Sequence, residues 1–411
     1  MDAARRQIVF VNAAHVFTHY GLLILATAVL AMVVQDGATF GTVYGPILAL
    51  GTGMFVVYGL GSLPMGWLAE RTGRPALLLA FFLGTGAGMV LAGLAAGPWT
   101  LAAALFVAGA FSAIYHPIGT AMLVDAAGDR VGASVGVNGV FGNLGVALAP
   151  VVTAACSAFL GWRWGFILPG LLCIGCGLLY LANGLTDVAK AKAAARPFPE
   201  IPPAVVRRAV IVLLAIATTS GFVFNGFTLL LPKLMEERLA GSPDLLPVVG
   251  LLAFLVTICG GLTQFTVGRM IDRMTLRRVF LPLAIVQAPL LLALTQVSGW
   301  PVLLLAALVC ASVFGQVTVN ETMTARYVAP ALRAKLYSIR FSVGFLGAAT
   351  ASPIVGWLHD SAGGSAAVLA VLAAFGVVTL AGALFFPDRR EELRPELWQE
   401  AAPPLRPVAA Q

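Results

Sequence analysis

Twelve long apolar runs are the feature of this sequence that most restricts its fold. A run of about 20 apolar residues is long enough for a helix to cross the hydrocarbon core of a bilayer. With 59% of its residues hydrophobic and only 10% charged, the chain lacks the polar surface of a soluble enzyme. We therefore predict an all-α membrane protein with twelve transmembrane helices. The runs lie near residues 8–34, 42–68, 75–96, 99–124, 131–160, 163–185, 208–235, 246–271, 278–298, 300–326, 335–358 and 365–387.

Basic residues occupy the short loops between these runs, and nearly all of them fall on one predicted side of the membrane. Loops that remain in the cytoplasm carry an excess of Lys and Arg. Both termini are therefore predicted to be cytoplasmic, in a multi-pass protein of a bacterial-type plasma (inner) membrane. The net charge of +7 does not form one stripe, so no nucleic-acid partner is expected. The expected partners are the lipid bilayer, protons and a small-molecule substrate, and the expected oligomeric state is a monomer.

An internal repeat divides the chain into two similar halves. The halves are residues 1–185 and 208–387, joined by a predicted cytoplasmic linker at 186–207 and followed by a predicted disordered cytoplasmic tail at 388–411. Larger transporter folds are built from two such parallel repeats. Sliding the chain along itself by 202 or 203 positions places like residues on each other: Arg5 on Arg207, Arg6 on Arg208, Gly66 on Gly268, Glu70 on Asp272, Arg71 on Arg273, Arg74 on Arg277, Arg130 on Arg333 and Pro150 on Pro353.

The loop after the second run and its repeat after the eighth carry the same kind of charge pattern. The first reads Gly-Trp-Leu-Ala-Glu-Arg-Thr-Gly-Arg over residues 66–74, and the second reads Gly-Arg-Met-Ile-Asp-Arg over 268–273. This resembles the G-x-L-x-D-R-x-G-R loop of the major facilitator superfamily. The resemblance implies two six-helix halves that rock about a central site. A glycine permits a close helix crossing, and the charges bond across the seam; simple anchoring of the loops by positive charge is the alternative. The implied cytoplasmic gate consists of Gly66, Glu70, Arg71, Arg74, Gly268, Asp272 and Arg273.

A closer resemblance lies in runs one, four and five. Tyr115-His116-Pro117, the stretch Gly139-Val140-Phe141-Gly142-Asn143-Leu144-Gly145 and the pair Ala14-His15 are similar to the fosmidomycin-resistance type of facilitator. That type has an acid directly after its His-Pro pair, and this chain has Ile118 there. The resemblance implies efflux of a small, drug-like or anionic compound in exchange for protons.

Two charged residues lie inside apolar runs, where a charge costs several kcal/mol. Arg340 is predicted either to bind an anionic substrate bidentately or to be an anchor that extends to the membrane surface. Glu321 is predicted either to carry protons or to be a structural partner for Arg340 or Arg326. Both readings of Glu321 hold if its protonation releases Arg340 for substrate.

Histidines and amides are the other candidate site residues. His15 and His19 are four residues apart and so share a helix face, and His116 precedes a proline that interrupts the hydrogen bonding of its helix. We predict that these three, with Asn143 and Asn225, bind substrate, and that His116 also takes part in proton coupling. The alternative is hydrogen bonding between helices. A metal site at His15, His19 and His116 is conceivable, but no carboxylate or cysteine stands at ligand spacing from them, so no metal site is predicted. His359, Asp360 and Arg163 are predicted to lie near an outer gate.

The sequence favours a secondary active transporter and not an enzyme. It contains no nucleotide-binding loop, so no cofactor is expected, and transport would use an ion gradient or the gradient of the substrate. We predict alternating access with proton-coupled efflux of a small anionic or drug-like compound. A proton-coupled uptake permease for a small carboxylate or other organic anion is the first alternative. A non-transporting membrane sensor or scaffold is the second.

Overall fold

The twelve predicted membrane helices are confirmed. A computed structural model describes residues 2–127, 131–185, 187–188, 201–240, 245–328 and 330–390, and within these ranges the regular structure is entirely helical. Short helices at Gly37–Phe40 and Met65–Thr72 lie in two of the connections. The membrane helices are α1 Ala3–Gln35, α2 Tyr44–Gly61, α3 Arg74–Gly93, α4 Pro98–Ala126, α5 Val131–Phe159, α6 Trp164–Ala182, α7 Pro203–Met235, α8 Leu246–Ile271, α9 Leu276–Gln296, α10 Pro301–Tyr327, α11 Pro330–Ser361 and α12 Gly364–Phe385.

Helix boundaries follow local chemistry. The carboxylate of Asp2 accepts a hydrogen bond of 2.7 Å from the backbone N–H of Arg5, which caps the start of α1. Gly73 has φ +81° in the turn before α3, and Gly161 has φ +96° in the turn between α5 and α6. Both turns need backbone conformations that side chains with a Cβ rarely adopt.

The connection between the halves is shorter than the sequence predicts. Helix α7 begins at Pro203, within the predicted linker 186–207. Proline suits the first turn of a helix, because its φ is already helical and its missing N–H would have no partner there. Residue 186 and residues 189–200 lie outside the described residues, as does the predicted tail from 391 onward. Asp388 is described, and its carboxylate accepts a hydrogen bond of 2.5 Å from Thr275 at the start of α9.

The two halves, α1–α6 and α7–α12, pack against each other through α2 with α11 and α5 with α8. We call the end of the bundle that carries the connections at 62–73 and 272–275 the linker end, and the opposite end the far end. At the far end, α2 and α11 touch at glycines: a Cβ on Gly356 would lie 2.7 Å from the Cα of Gly45. A Cβ on Gly250 of α8 would lie 2.7 Å from the carbonyl oxygen of Pro150 in α5.

Hydrogen bonds between the halves reinforce the far end. Asp360 accepts a bond of 2.6 Å from the backbone N–H of Gly45, and Ser352 donates one of 2.7 Å to the carbonyl of Leu48. We call these contacts, with the Gly45–Gly356 packing, the far-end seal. The loop residues Glu70 and Asp272 at the linker end are exposed. The conformation is therefore closed at the far end, with its loop charges free of such packing at the linker end.

Candidate functional site

Helix α4 changes its winding where the sequence places His116 and Pro117. Residues Tyr115–Gly119 form a π-helical turn between two α-helical segments. Proline has no N–H and its ring clashes with the preceding turn, so it disrupts the regular hydrogen-bond ladder, and widened turns of this kind are frequent at functional sites. The turn presents His116 beside α1.

Three histidines meet at this turn, and we call them the histidine cluster. One nitrogen atom from each of His15, His19 and His116 lies within 4.8 Å of the other two. The Nε2 atoms of His15 and His19 are 3.2 Å apart. His15 is buried, and the other two are half-buried. The sequence predicted the shared face of His15 and His19, and the structure adds His116 to it.

Neutral polar groups of α1, α4 and α5 hold the His15 ring of the cluster in place. The Nδ1 atom of His15 lies 2.7 Å from the backbone oxygen of Asn138 in α5. The Asn138 amide donates bonds of 2.9 Å to Asn12 and to the hydroxyl of Tyr115. The ring of Tyr115 stacks on His15 with centroids 4.7 Å apart. Sequence reasoning missed Asn12, although it lies three residues before His15 and therefore on the same helix face.

Aromatic rings connect the histidine cluster to the C-terminal half. His116 stacks on Phe341 of α11 with centroids 5.4 Å apart and lies 6.0 Å from Phe345. Tyr58 of α2 contacts the ring of Phe345 at 4.5 Å and lies 6.1 Å from His116. The Tyr58 hydroxyl is buried and has no hydrogen-bond partner among the described residues. Tyr58 and Phe345 were not predicted. In the structure α2 and α11 meet at Gly59, where a Cβ would lie 2.6 Å from that of Phe345.

The two charged residues of the C-terminal half join the same region. Arg340 is buried, 9% exposed, and its guanidinium carbon lies 5.6 Å from the centre of the Phe341 ring. It interacts electrostatically with His116 from α4 and with Glu321 from α10. Arg326, the other predicted partner of Glu321, donates a bond of 2.9 Å to the carbonyl of Ile271. Arg340 and Glu321 thus lie in the same region of the interface between the halves as the histidine cluster.

The predicted amides divide between two locations. Asn143 donates a hydrogen bond to Gln264, which joins α5 to α8 and therefore links the two halves. Asn225 donates a bond of 2.9 Å to the carbonyl of Gly221 on its own helix. Only Asn143 is thus engaged between the halves, one residue from Gly142, whose missing side chain leaves room for the His15 ring.

Among the described residues, the predicted gate residues of the two loops at the linker end form no hydrogen bond or ion pair with each other. Arg74 bonds to Asp125 of its own half and to Asp187 of the segment that follows α6, both at 2.5 Å. The guanidinium of Arg71 lies 3.7 Å from the centre of the Trp67 ring. Exposed residues include Glu70, Arg71, Asp272 and Arg273. The close helix crossing predicted at Gly66 and Gly268 is absent here, because a Cβ on either glycine would meet no described atom within 4 Å.

Two of the three residues predicted near the outer gate lie together at the far end. His359 contacts the carboxylates of Asp360 at 2.8 Å and of Glu237 at 2.6 Å. Arg163 instead bonds to Asp36 at 3.1 Å, within the N-terminal half.

A family model described as Major Facilitator Superfamily matches residues 9–246 and 234–410, which is nearly the whole chain. The chain belongs to the major facilitator superfamily. Its fold is similar to two crystal structures of a bacterial homologue of the human lysosomal transporter Spinster. The inward-facing, occupied form gives a TM-score of 0.71 at 14% identity and covers 94% of this chain and 97% of that one. The inward-facing, unoccupied form gives 0.66 at 13% identity, over 98% and 99%. No curated protein matches this facilitator.

Proposed function

We propose that this facilitator moves a small organic anion together with protons by alternating access. The observation that carries the proposal is the meeting of Arg340, Glu321 and His116 from α11, α10 and α4. Because the two halves both contribute, the groups separate or approach as the halves rock. A ligand that contacts both halves therefore binds the two facing states with different affinity, which is what a transport cycle requires.

The chemistry of the site suits an anion. A guanidinium offers a planar fork of donors that matches carboxylate, phosphate or phosphonate oxygens, and burial strengthens the interaction. The Tyr58 hydroxyl and the His116 ring add donors beside it. The rings of Phe341 and Phe345 supply apolar walls for the remainder of a small molecule.

The electrostatic interaction between Glu321 and Arg340 supplies a route to proton coupling. An ionised Glu321 competes with an anionic substrate for Arg340, whereas a protonated Glu321 releases it. Proton binding and anion binding then favour each other. Such mutual support is a positive coupling free energy between two sites, and it favours movement of both in the same direction.

The direction of transport separates two forms of the proposal. The resemblance of Tyr115-His116-Pro117 and the Gly139–Gly145 stretch to the fosmidomycin-resistance type favours efflux of a phosphonate in exchange for protons. The Glu321–Arg340 interaction favours movement of an anion in the same direction as protons, as in uptake. The interaction between Glu321 and Arg340 gives more support to joint movement than the resemblance gives to exchange. It names Glu321 as the group that binds and later releases the proton.

Membrane vesicles of both orientations distinguish these forms. Everted and right-side-out vesicles are given fosmidomycin or a small carboxylate, with and without a protonophore, while a pH-sensitive dye reports proton movement. The variant is Arg340→Ala, and the control is Arg207→Ala, an exposed arginine at the start of α7. Joint movement predicts protonophore-sensitive accumulation in right-side-out vesicles, with protons and solute entering together.

Each other outcome has a defined meaning. Accumulation of fosmidomycin in everted vesicles, lost with the protonophore, would support exchange and contradict joint movement. Solute flux that the protonophore does not change would show that transport is not coupled to protons. Flux that is unchanged in Arg340→Ala would show that the arginine takes no part in transport. No movement of any solute or proton from a broad panel would favour the sensor or scaffold.

A further inference from the structure

We propose that the histidine cluster binds one divalent transition-metal ion of the Zn²⁺ class. The sequence alone predicted no metal site, because no carboxylate or cysteine stands at ligand spacing from the histidines. The fold makes the three histidines a ligand set of their own, because His116 lies far along the chain from His15 and His19 but adjacent to them in space. Three histidines with a fourth position left for water or an anion are a known zinc coordination.

The distances fit such an ion. Zinc–nitrogen bonds of about 2.0–2.1 Å in a tetrahedron place ligand nitrogens about 3.3 Å apart. The Nε2 atoms of His15 and His19 are already 3.2 Å apart. All three ligand atoms lie within 4.8 Å of each other, so the longest separation must shorten by at most about 1.5 Å. His19 and His116 are half-buried, so their rings have more room to turn than that of His15.

The surroundings of His15 prepare one ligand atom. A backbone carbonyl only accepts hydrogen bonds, so the 2.7 Å contact with the Asn138 oxygen places the proton of His15 on Nδ1. Its Nε2 atom then carries the free lone pair, directed towards His19. Metal-binding histidines commonly make this kind of bond through the nitrogen that does not touch the ion. Stacking on Tyr115 and packing against Gly142 fix the ring in the same orientation.

The donor set selects the class of ion. Imidazole nitrogens favour zinc, copper, nickel and cobalt, whereas magnesium and calcium require oxygen ligands. Arg340 interacts with His116 and opposes a nearby cation, but Glu321 interacts with Arg340 and offsets its charge. The site is therefore expected to bind a transition metal with moderate rather than extreme affinity.

Metal binding to the whole protein tests this proposal without a transport assay, so its failure is distinguishable from failure of the proposed function. The full chain, purified in detergent through a tag without histidine and stripped with a chelator, is titrated with Co²⁺ and then with Zn²⁺. Isothermal calorimetry gives stoichiometry and affinity, and the visible spectrum of bound cobalt reports its geometry. The variants are His19→Gln and His116→Gln, and the matched control is His359→Gln, the only other histidine in the sequence.

We expect one ion per chain with a tetrahedral cobalt spectrum, displaced by zinc. Binding should weaken at least tenfold in each cluster variant and stay unchanged in His359→Gln. Gel filtration and melting temperature show whether each variant is folded; His19 makes few of the contacts that anchor His15, so His19→Gln is the less disruptive variant. Absence of binding to the wild type, equal binding in folded cluster variants, or the charge-transfer band of cobalt bound to cysteine thiolate would each overturn the proposal.

Discussion

The two halves of this facilitator share a scaffold but contribute different chemistry to their interface. The N-terminal half supplies the histidine cluster, held by neutral partners such as Asn138 and Tyr115. The C-terminal half supplies a buried arginine and the carboxylate of Glu321. Imidazole rings of one half therefore face a permanent cation and a titratable carboxylate of the other half across the interface.

The internal repeat shows how local this difference is. At the offset of 203 that relates Arg74 to Arg277 and Arg130 to Arg333, Glu321 of α10 is equivalent to Ile118 of α4. The N-terminal half thus has an apolar residue at the position where the C-terminal half has its acid. Pseudo-symmetry preserves the helices while the chemical groups differ between them.

The largest expected effect comes from removing the arginine that the N-terminal half cannot replace. Arg340→Ala should lower kcat/KM for an anionic substrate at least about 30-fold, because truncating one partner of a buried charge contact costs about 2–5 kcal/mol. Arg340→Lys should recover only part of the loss, since an ammonium lacks the planar fork. Initial rates in proteoliposomes measure this, beside Arg207→Ala. An Arg340→Lys variant as active as the wild type would contradict bidentate binding, because a single ammonium would then suffice.

The second-largest effect is expected at Glu321, where one variant distinguishes proton coupling from substrate binding. Glu321→Gln keeps the shape of the side chain but cannot ionise, so Arg340 is left available to substrate at every pH. Exchange of labelled for unlabelled substrate should continue, while gradient-driven accumulation should fall at least tenfold. Both rates are measured in the same proteoliposomes. Accumulation that persists in Glu321→Gln would contradict a coupling role for Glu321. Proton coupling would then be assigned to the histidine cluster, and so to the N-terminal half.

The third prediction concerns the far-end seal, through which the two halves contact each other, and the conformation that it stabilises. Gly356→Val adds a side chain at a position where even a Cβ would lie only 2.7 Å from the Cα of Gly45. Overpacking of this kind costs about 1–3 kcal/mol. The population should therefore shift about 5–150-fold towards the state that is open at the far end.

Dyes attached through unnatural amino acids at positions 70 and 272 report the shift. Both positions are exposed at the linker end, one in each half, so single-molecule energy transfer should show them closer in Gly356→Val. The control is Gly175→Val in α6, where an added Cβ meets nothing within 4 Å. An unchanged distance distribution in Gly356→Val would mean that the glycine contact does not control which end is open.

Sequence reasoning reached the fold and the charged residues because both produce rare patterns. Twelve apolar runs allow few other folds, and Arg340 and Glu321 stand out because charges in such runs are rare. Tyr58 and Phe345 were missed since aromatic residues are common in membrane helices and most of them only pack. Their role depends on which helices of the two halves face each other, and that information is not local in the chain. The π-helical turn at Tyr115–Gly119 was anticipated only as an interruption, because proline indicates a break without fixing its geometry.

A smaller effect is expected at the hydrogen bond of the seal. Asp360→Ala removes the acceptor of the 2.6 Å bond from the Gly45 N–H. The contact is charged but only part-buried, so we assign it about 1 kcal/mol, or about a fivefold population shift in the direction of Gly356→Val. The same dyes at positions 70 and 272 measure it. Asp360→Asn, which retains an acceptor oxygen, should lie between the wild type and Asp360→Ala; an Asn variant as open as the Ala variant would show that the charge, and not the bond, matters.

The smallest expected effect concerns the contact between the amides of Asn143 in α5 and Gln264 in α8. Asn143 donates a hydrogen bond to Gln264, and such bonds between membrane helices contribute about 0.6 kcal/mol on average. Asn143→Ala and Gln264→Ala should each shift the conformational equilibrium about threefold or less, and the double variant should shift it no further than either single variant. Additive shifts would instead mean that the two amides act separately. Asn143 would then be available to substrate, and the N-terminal half would contribute an amide as well as histidines to the site.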